Sequence, residues 1–367
     1  MQDFIKRQAR PQIFNLKPYT PGKPVDEVKR ELGIEDIIKM ASNENPLGPS
    51  PLAVQAVKES LDSIHVYPDG NCFYLKQRLA DFLGVQTNQL LLGNGSDELL
   101  KLLVETFINP EDEVIFASPT FSEYEFTATI MGAKCKAVPL LNFKHDLPAM
   151  LAAIGEQSKI IYLCNPNNPT GTIMTRAEMD GFMARVPKDV LVVFDEAYFE
   201  YVESPDFVQG VDYLSEYPNV IVSRTFSKIY GLAGLRIGYM LAHPEIVDAV
   251  KRITEPFNVN HLAQVGARAA LDDHQHLRAS RKINAEGKVY LYRQLEEMGL
   301  KYVPSEANFI FFDTGKDCQM VFRELLSRGV IVRTGDIFGY PTYIRVTIGN
   351  PEQNERFIKT LQEILKI

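Results

Sequence analysis

A lysine, several hydroxyl side chains and an arginine lie close together between residues 223 and 236. An apolar run, Val220-Ile-Val222, leads into Ser223-Arg-Thr-Phe-Ser-Lys228, and Arg236 follows eight positions after the lysine. A lysine amine in this setting can form a Schiff base with an aldehyde, and nearby positive charge and partial burial would lower its pKa towards reactivity. Hydroxyls and a guanidinium can bind a phosphate. The alternative is that Lys228 is a solvated surface charge, as most lone loop lysines are.

Pyridoxal phosphate (PLP) carries an aldehyde and a phosphate on one small molecule, and a site for it needs two further parts. The first is a carboxylate for the ring nitrogen, which Asp195 in Asp195-Glu-Ala-Tyr198 could supply, because it ends an apolar run. The second is a pair of hydrogen bonds to the ring hydroxyl, which Tyr198 and Asn168 could make. The alternatives are an Asn/Pro turn around Asn168 and, for Asp195, a helix N-cap or a metal-binding acid, although no Walker A motif accompanies it.

Two short turns, one before a predicted helix and one after a predicted strand, could supply the phosphate-binding and ring-stacking parts of such a site. Gly93-Asn-Gly-Ser-Asp97 leads into a predicted helix, whose free backbone N–H groups would attract an anion. The alternative is that Ser96 or Asp97 merely caps that helix. Phe121, in Ser118-Pro-Thr-Phe121, could stack on a planar ring, although an aromatic residue after a strand is more often part of a core.

Two arginines near the C-terminus are candidates for binding an anionic substrate. Arg345 lies in Tyr343-Ile-Arg-Val-Thr-Ile348, where strand alternation would place it opposite Ile344 and Val346. Arg333 lies in the preceding apolar run. A guanidinium can bind a carboxylate or phosphate through two parallel hydrogen bonds.

The elements that must position these residues follow an α/β pattern up to about residue 260. Apolar runs alternate with helical patterns, which predicts parallel strands covered on both faces. The predicted strands are residues 113–117, 159–164, 190–194, 220–223 and 236–241, and the predicted helices are residues 51–61 and 96–107. In the first helix, Leu52, Val54, Val57 and Leu61 are predicted to lie largely on one stripe. A long helix from His261 towards Met298, then alternating strands and helices, predict a separate α+β lobe.

Composition places the chain among ordinary globular proteins. It has 367 residues and a net charge of −8, which weakly disfavours nucleic acid as its main partner. Its four cysteines form no CxxC pair, so we expect neither disulfides nor a zinc site, and a cytoplasmic setting fits best. We see no signal peptide and no apolar run of about 18 residues. His274 and His276 are interpreted as a solvated helix end, and no metal site is predicted.

The motifs together resemble a known enzyme family along essentially the whole chain. Asn168-Pro-Thr-Gly171, Asp195-Glu-Ala-Tyr198, Ser227-Lys228 and Gly234-Leu-Arg236 have the order and spacing found in PLP-dependent aminotransferases of fold type I. Further segments resemble the histidinol-phosphate aminotransferase family; they are Leu16-Lys-Pro-Tyr19, Ser42-Asn-Glu-Asn-Pro46, Val66-Tyr-Pro-Asp69, Gly95-Ser-Asp97, Ser118-Pro-Thr-Phe121 and Ile344-Arg-Val-Thr-Ile-Gly349.

The resemblance implies an architecture. The expected α/β fold has a large domain with a mostly parallel mixed sheet, one strand of it antiparallel, between helices. A smaller α+β C-terminal domain and an extended N-terminal arm complete it. The expected boundaries are 1–35 for the arm, 36–260 for the large PLP-binding domain and 261–367 for the small domain, on which part of the N-terminal segment packs.

The resemblance also implies a role for each motif residue. Lys228 would bind PLP covalently and carry the substrate proton, and Asp195 would pair with the ring nitrogen. Asn168 and Tyr198 would contact the ring hydroxyl, and Phe121, where many relatives have tyrosine, would stack on the ring. The residues implied around the phosphate are Gly95, Ser96, Asp97, Thr225, Ser227 and Arg236, with Tyr67 from the partner subunit of a homodimer. Tyr19, Arg333 and Arg345 would line the substrate pocket.

The implied reaction is transfer of the amino group of L-histidinol phosphate to 2-oxoglutarate, giving imidazole-acetol phosphate and L-glutamate in a ping-pong mechanism. The alternatives within this fold are an aromatic-amino-acid aminotransferase and a threonine-phosphate decarboxylase. A PLP-binding regulator without turnover is disfavoured, because the Pro-rich arm is too short for a helix-turn-helix and the pI is acidic. An α/β binding protein without PLP is the remaining alternative.

Overall fold

A seven-stranded sheet lies at the centre of the computed structural model, which describes residues 2–16 and 24–366. The strands are β1 (Ile38–Lys39), β2 (Leu90–Gly93), β3 (Glu113–Ser118), β4 (Lys134–Pro139), β5 (Ser158–Cys164), β6 (Leu191–Asp195), β7 (Val220–Thr225), β8 (Gly238–Ala242), β9 (Tyr302–Val303), β10 (Phe309–Asp313), β11 (Val330–Ile331), β12 (Arg333–Thr334) and β13 (Tyr343–Thr347). The helices are α1 (Gln2–Gln8), α2 (Val25–Leu32), α3 (Pro51–Glu59), α4 (Phe73–Leu83), α5 (Ser96–Phe107), α6 (Glu123–Ile130), α7 (Leu147–Ala152), α8 (Arg176–Met183), α9 (Pro244–Lys251), α10 (His261–Ala270), α11 (His274–Glu297), α12 (Cys318–Ser327) and α13 (Pro351–Leu365).

The large sheet has the strand order β2-β8-β7-β6-β5-β3-β4. Its strands run parallel except β8, which is antiparallel to both of its neighbours. Helices cover both faces, since Val192 and Phe194 of β6 belong to one hydrophobic cluster and Val193 belongs to the other. Each of these buried side chains contributes about 1.5–3 kcal/mol. The predicted fold class, a mostly parallel mixed sheet with one antiparallel strand, is confirmed.

The register of the central strands brings their carboxyl ends to one edge of the sheet. Cys164 at the end of β5 is aligned with Asp195 at the end of β6, and Asp195 is aligned with Ser223 of β7. Ligands of open α/β sheets bind at this edge. The residues that directly follow β3, β5, β6 and β7 are therefore brought to one place.

A second sheet forms the smaller α+β lobe, with the antiparallel order β12-β13-β10-β9. It packs against α11, α12 and α13 through one hydrophobic cluster, to which Met40 also belongs. The nearby strand β1 pairs in parallel with β11. The segment after α2 is therefore packed on this lobe before the chain enters the large sheet.

Several predicted elements differ in the structure. The helix predicted from His261 is broken into α10 and α11, because the Asp273 side chain accepts the His276 N–H and caps the second helix. The helix α10 packs on α3 and α4 in the cluster of the large sheet. The segment predicted to be an extended arm contains α1 and α2 among its described residues.

The predicted apolar stripe of the first helix is only partly buried. In α3, Leu52 is 43% exposed, Leu61 just beyond the helix is 46% exposed, and the buried residue is Ala53. The small side chains of α10, such as Ala263 and Ala267, allow it to approach α3 closely on the Ala53 side. Val57 also lies close to Gly266 of α10 and is half-buried like Val54, whereas Leu52 and Leu61 are left on the outer surface.

Candidate active site

A cavity of about 390 Å³ opens at the carboxyl edge of the large sheet. Ten of the predicted site residues line it: Ser96, Asp97, Phe121, Asn168, Asp195, Tyr198, Thr225, Ser227, Lys228 and Arg236. A separate cavity of about 290 Å³, beside α4 and α9, contains none of them. The structure therefore brings most of the predicted set together in one place.

Lys228 follows β7 and extends into the cavity. Its Nζ donates to the Ser42 carbonyl at 3.1 Å and lies 5.6 Å from the centre of the Tyr198 ring. Burial, reinforced by the positive charge of Arg345, lowers the pKa of Lys228 to about 8. An amine with this pKa is partly neutral at physiological pH and can act as a nucleophile or accept a proton.

Asp195 ends β6 and is almost completely buried. The Tyr124 hydroxyl donates to its Oδ2 at 2.5 Å, whereas its Oδ1 has no hydrogen-bond partner among the described residues. Burial raises the pKa of Asp195 to about 6. It caps no helix, since the short 3₁₀ helix that follows is capped at Tyr198. Its unpartnered oxygen can accept a hydrogen bond from a cationic ligand.

Asn168 and Tyr198 line the same cavity as Asp195. The Asn168 Oδ1 accepts from Nη1 of Arg345, and the Tyr198 hydroxyl accepts from Nδ2 of Asn43 at 3.0 Å. Both side chains are buried. Each can still bond to a ligand, Asn168 through its amide donors and Tyr198 through its hydroxyl proton.

One end of the cavity is shaped for an anion. The helix α5 begins there, directly after Gly95, which has φ 84°. Any side chain at this position would also clash, because its Cβ would lie 2.6 Å from Nη2 of Arg236. Arg236 also pairs with Asp97 at 3.0 Å, and Thr225 and Ser227 line the same cavity. The Ser223 hydroxyl, which also preceded Lys228 in the sequence pattern, is instead fully buried within β7.

The remaining predicted residues are placed differently. Arg345 is buried on β13, where Nη2 donates to the Ala41 carbonyl at 2.8 Å, next to Asn168. Arg333 lies directly across from it on β12 and does not line the cavity. Tyr67 is 80% exposed, its ring centre lies 4.8 Å from that of Phe257, and it does not line the cavity of its own chain. Tyr19 lies outside the described residues.

Comparison with known proteins identifies the family. The protein family Aminotransferase class I and II matches residues 35–361. Histidinol-phosphate aminotransferase of Moorella thermoacetica is 59% identical over 359 residues, which cover 98% of this chain and 93% of the relative. The chain belongs to the histidinol-phosphate aminotransferase family.

Two further comparisons agree with this family assignment. Histidinol-phosphate aminotransferase of Caldicellulosiruptor saccharolyticus is 49% identical, over 97% of this chain and 99% of the relative. The crystal structure of histidinol-phosphate aminotransferase from Sinorhizobium meliloti in complex with pyridoxal-5'-phosphate has a TM-score of 0.90 and 29% identity, over 98% of each chain. The match thus extends over both the large sheet and the smaller lobe.

The residues of this family member fit PLP in three respects. The unpartnered Oδ1 of Asp195 can accept from a protonated ring nitrogen. The space left by Gly95, between the start of α5 and Arg236, can hold a phosphate. The amine of Lys228 lies in the same cavity, with its pKa lowered to about 8.

Several residues of the cavity were missed by the sequence analysis. The additional lining residues are Ser42, Glu44, Glu123, Cys164, Ala197 and Ala233. Tyr124, the partner of Asp195, could have been found from its place three residues after Phe121, on the first turn of α6. His276, predicted to be solvated, is buried near Asn45 and Ser280, because Asn45 from a distant segment covers it.

Proposed function

We propose that this aminotransferase transfers the amino group of L-histidinol phosphate to 2-oxoglutarate, giving imidazole-acetol phosphate and L-glutamate, with PLP as cofactor. The names of the relatives support the substrate, and one observation supports the chemistry. That observation is the presence in one cavity of a lysine whose pKa is lowered and a buried aspartate with an unpartnered oxygen. Such a pair suits removal of a proton next to a cationic electron acceptor.

In this proposal most of the cavity residues bind the cofactor, and Lys228 transfers a proton. When bound, PLP supplies an electron sink for a proton removed from the substrate α-carbon. Lys228 would accept that proton and pass it to the cofactor C4′, and in the second half of the reaction it would move a proton in the opposite direction. Asp195 keeps the ring nitrogen protonated, while Asn168 and Tyr198 contact the ring hydroxyl and Phe121 stacks on the ring. The residues proposed around the phosphate are Gly95, Ser96, Asp97, Thr225, Ser227 and Arg236.

One pocket must accept two substrates in turn, an amino donor and an amino acceptor, and an arginine suits this demand. Glutamate offers an α-carboxylate where histidinol phosphate offers a different anion, its phosphate ester. Arg345, buried beside Asn168, is proposed to bind either anion, with Arg333 across the strand pair as the second cation. Tyr19, outside the described residues, remains a proposed member of this pocket.

We also propose that the protein is a homodimer with shared active sites. Tyr67 is proposed to reach the cofactor phosphate of the partner subunit, because it projects from the surface rather than into its own cavity.

The domain division proposed from the sequence, at residues 35 and 260, is retained with the modification that α10 packs with the large domain. Among the described residues no helix is long and apolar enough to cross a membrane, and a cytoplasmic setting remains a proposal.

The proposal is tested by measuring glutamate formed from L-histidinol phosphate and 2-oxoglutarate by the purified holoenzyme. We expect activity that is abolished, together with the visible absorption of the bound cofactor, by Lys228→Ala. The matched control is Lys188→Ala, at an exposed position outside the cavity, which retains both. Absence of glutamate formation, or an active Lys228→Ala variant, would refute the proposal.

A further inference from the structure

The short segment 41–45 crosses from the smaller lobe to the cavity, and its central residue is hidden between two residues that line the cavity. Ser42 and Glu44 line it, whereas Asn43 does not and is 1% exposed. Asn43 has φ 57°, in the left-handed region that asparagine tolerates better than most side chains do. The backbone at position 43 therefore adopts a left-handed conformation, and the asparagine that tolerates it also carries a side-chain amide.

The Asn43 amide is held in one orientation by the smaller lobe. The Asn43 N–H donates to Oγ1 of Thr347 at 2.9 Å, and that hydroxyl donates back to Oδ1 of Asn43 at 3.2 Å. Asn308 donates to the Asn43 carbonyl at 2.9 Å. Because Oδ1 faces Thr347, the NH₂ group points to the other side, where it donates to the Tyr198 hydroxyl at 3.0 Å.

This bond determines where the Tyr198 hydroxyl can point. Within the described part of the chain, the hydrogen-bond partner of the Tyr198 hydroxyl is the Asn43 side-chain amide, whose NH₂ group donates to it. The hydroxyl oxygen therefore accepts from Asn43, and its proton is left for an acceptor in the cavity. A hydroxyl that accepts one hydrogen bond is also polarised into a stronger donor.

We propose that Asn43 is a positioning residue for the reaction: it orients the Tyr198 hydroxyl so that Tyr198 donates to the ring oxygen of the cofactor. Thr347, which orients Asn43, lies two residues from Arg345 on β13, so the proposed substrate clamp and this chain of hydrogen bonds share one strand. The inference rests on the proposed contact between Tyr198 and the cofactor. It assigns a role to Asn43 of the motif Ser42-Asn-Glu-Asn-Pro46.

The test is a pH titration of the visible absorption band of the holoenzyme, for wild type, Asn43→Gly, Tyr198→Phe and the double variant. Glycine tolerates the left-handed backbone and removes the amide. A donor to the ring oxygen favours its deprotonated form, so weakening that donor raises the midpoint. We expect rises of about half a pH unit for Asn43→Gly and about one unit for Tyr198→Phe. The affinity of Asn43→Gly for PLP should fall by about 3- to 10-fold.

The double variant separates a positioning role from a structural one. In the Tyr198→Phe background we expect Asn43→Gly to produce no further shift, because the group through which it acts is gone. An equal shift in both backgrounds, or no shift in the wild-type background, would overturn the inference. These outcomes are distinct from failure of the proposed function. In that case the wild-type protein would show no visible absorption band, or the Lys228→Ala variant would keep one.

Two controls distinguish this effect from general destabilisation. Asn219→Ala removes a buried amide that donates to the Val190 carbonyl, at the end of the sheet away from the cavity, and should lower Tm without moving the midpoint. Thr347→Val should reproduce the shift of Asn43→Gly, and Thr347→Ser, which keeps the hydroxyl, should restore the wild-type midpoint. This pair also replaces Asn43→Gly if that variant does not fold. A midpoint that moves equally in both Thr347 variants would contradict the proposed chain.

Discussion

At the scale of single residues, Asp195 carries a buried carboxyl group that we expect to lower the stability of the folded chain when no cationic ligand is bound. Its carboxyl group is almost completely buried, and Tyr124 satisfies only one of its two oxygens. Burial raises the pKa of Asp195 to about 6, well above the usual value for an aspartate. Above that pH the apoprotein holds a buried negative charge, one oxygen of which has no hydrogen-bond partner in the described part of the chain.

Asp195→Asn should therefore stabilise the apoprotein while abolishing activity. Because the pKa in the folded state is raised, the folded protein binds more protons than the unfolded chain between about pH 4 and 6, and its stability falls as the pH rises through that window. Asparagine imitates the protonated acid. We expect a gain of at most about 3 kcal/mol above pH 6, which disappears near pH 4. The measurement is the Tm of both apoproteins at pH 4.5 and 7.5.

The control is Asp189→Asn, an exposed aspartate at the opposite end of β6. This variant should show no difference from wild type at either pH. A loss of stability in Asp195→Asn at pH 7.5 would show that the ionised carboxylate is already compensated, contrary to the account of the site.

At the scale of elements, a buried ion pair ties the carboxyl ends of β6 and β7 together. Nη2 and Nε of Arg224 donate to one oxygen of Glu196 at 2.7 and 2.9 Å, and Gly210 donates to the other oxygen. Both charged side chains are at most 1% exposed. Glu196 directly follows Asp195, and Arg224 directly precedes Thr225; Asp195 and Thr225 line the cavity. The ion pair therefore holds in place the two strand ends that carry these cavity residues.

Arg224→Met should destabilise the apoprotein by about 3–5 kcal/mol at pH 8, because it leaves Glu196 buried without its cation. The loss should be smaller at pH 5, where the unpaired carboxyl can be protonated. The double variant Glu196→Gln/Arg224→Met should recover part of the stability. Urea unfolding of the three apoproteins measures this. Equal stability of the single and double variants would contradict a role for the charge.

The strands and the catalytic motifs were predictable because their signals are local. Continuous apolar runs marked β3, β5, β6 and β7 to within two residues, and motif residues directly after them had to meet at one edge of the sheet. The strand β4 was missed because charged residues interrupt this edge strand, and β2 because it is only four residues long. The fold class and the family resemblance are confirmed, whereas the residue roles remain predictions.

Contacts between distant segments could not be predicted in this way. Asn43 meets Thr347 across 304 positions, and Asn168 meets Arg345 across 177. The burial of His276 likewise depends on Asn45, which is 231 positions away. No periodicity or spacing in the sequence indicates such pairs, because they depend on how the smaller lobe packs against the large sheet.

At the scale of the whole molecule, apolar side chains remain exposed around Tyr67. The exposed residues in this part of the chain are Leu52, Leu61, Ile64, Val66, Tyr67, Phe73, Tyr74 and, from a later loop, Phe257. Monomers rarely expose so many large apolar residues in one segment. This exposure supports the proposed homodimer, whose interface would also cover Leu52 and Leu61 of the predicted α3 stripe.

Mixed dimers test whether Tyr67 acts in the partner's site. Lys228→Ala and Tyr67→Ala should each be impaired alone, while co-expression should restore about a quarter of wild-type activity. Half of randomly formed dimers are mixed, and each would contain one site with an intact Lys228 and an intact Tyr67 of the partner subunit. Separately purified variants, mixed without exchange of subunits, are the control. No recovery on co-expression would place Tyr67 in the site of its own chain.

The most direct test of the central claim is a comparison of kcat/KM for amino donors, using L-histidinol phosphate, L-phenylalanine and L-tyrosine with 2-oxoglutarate as the acceptor. Arg345, buried beside Asn168, is proposed to bind an anionic substrate group, so the donor that carries a phosphate ester should be favoured. We predict that histidinol phosphate has the highest kcat/KM of the three. A preference for phenylalanine by about tenfold or more would contradict the account and indicate an aromatic-amino-acid aminotransferase.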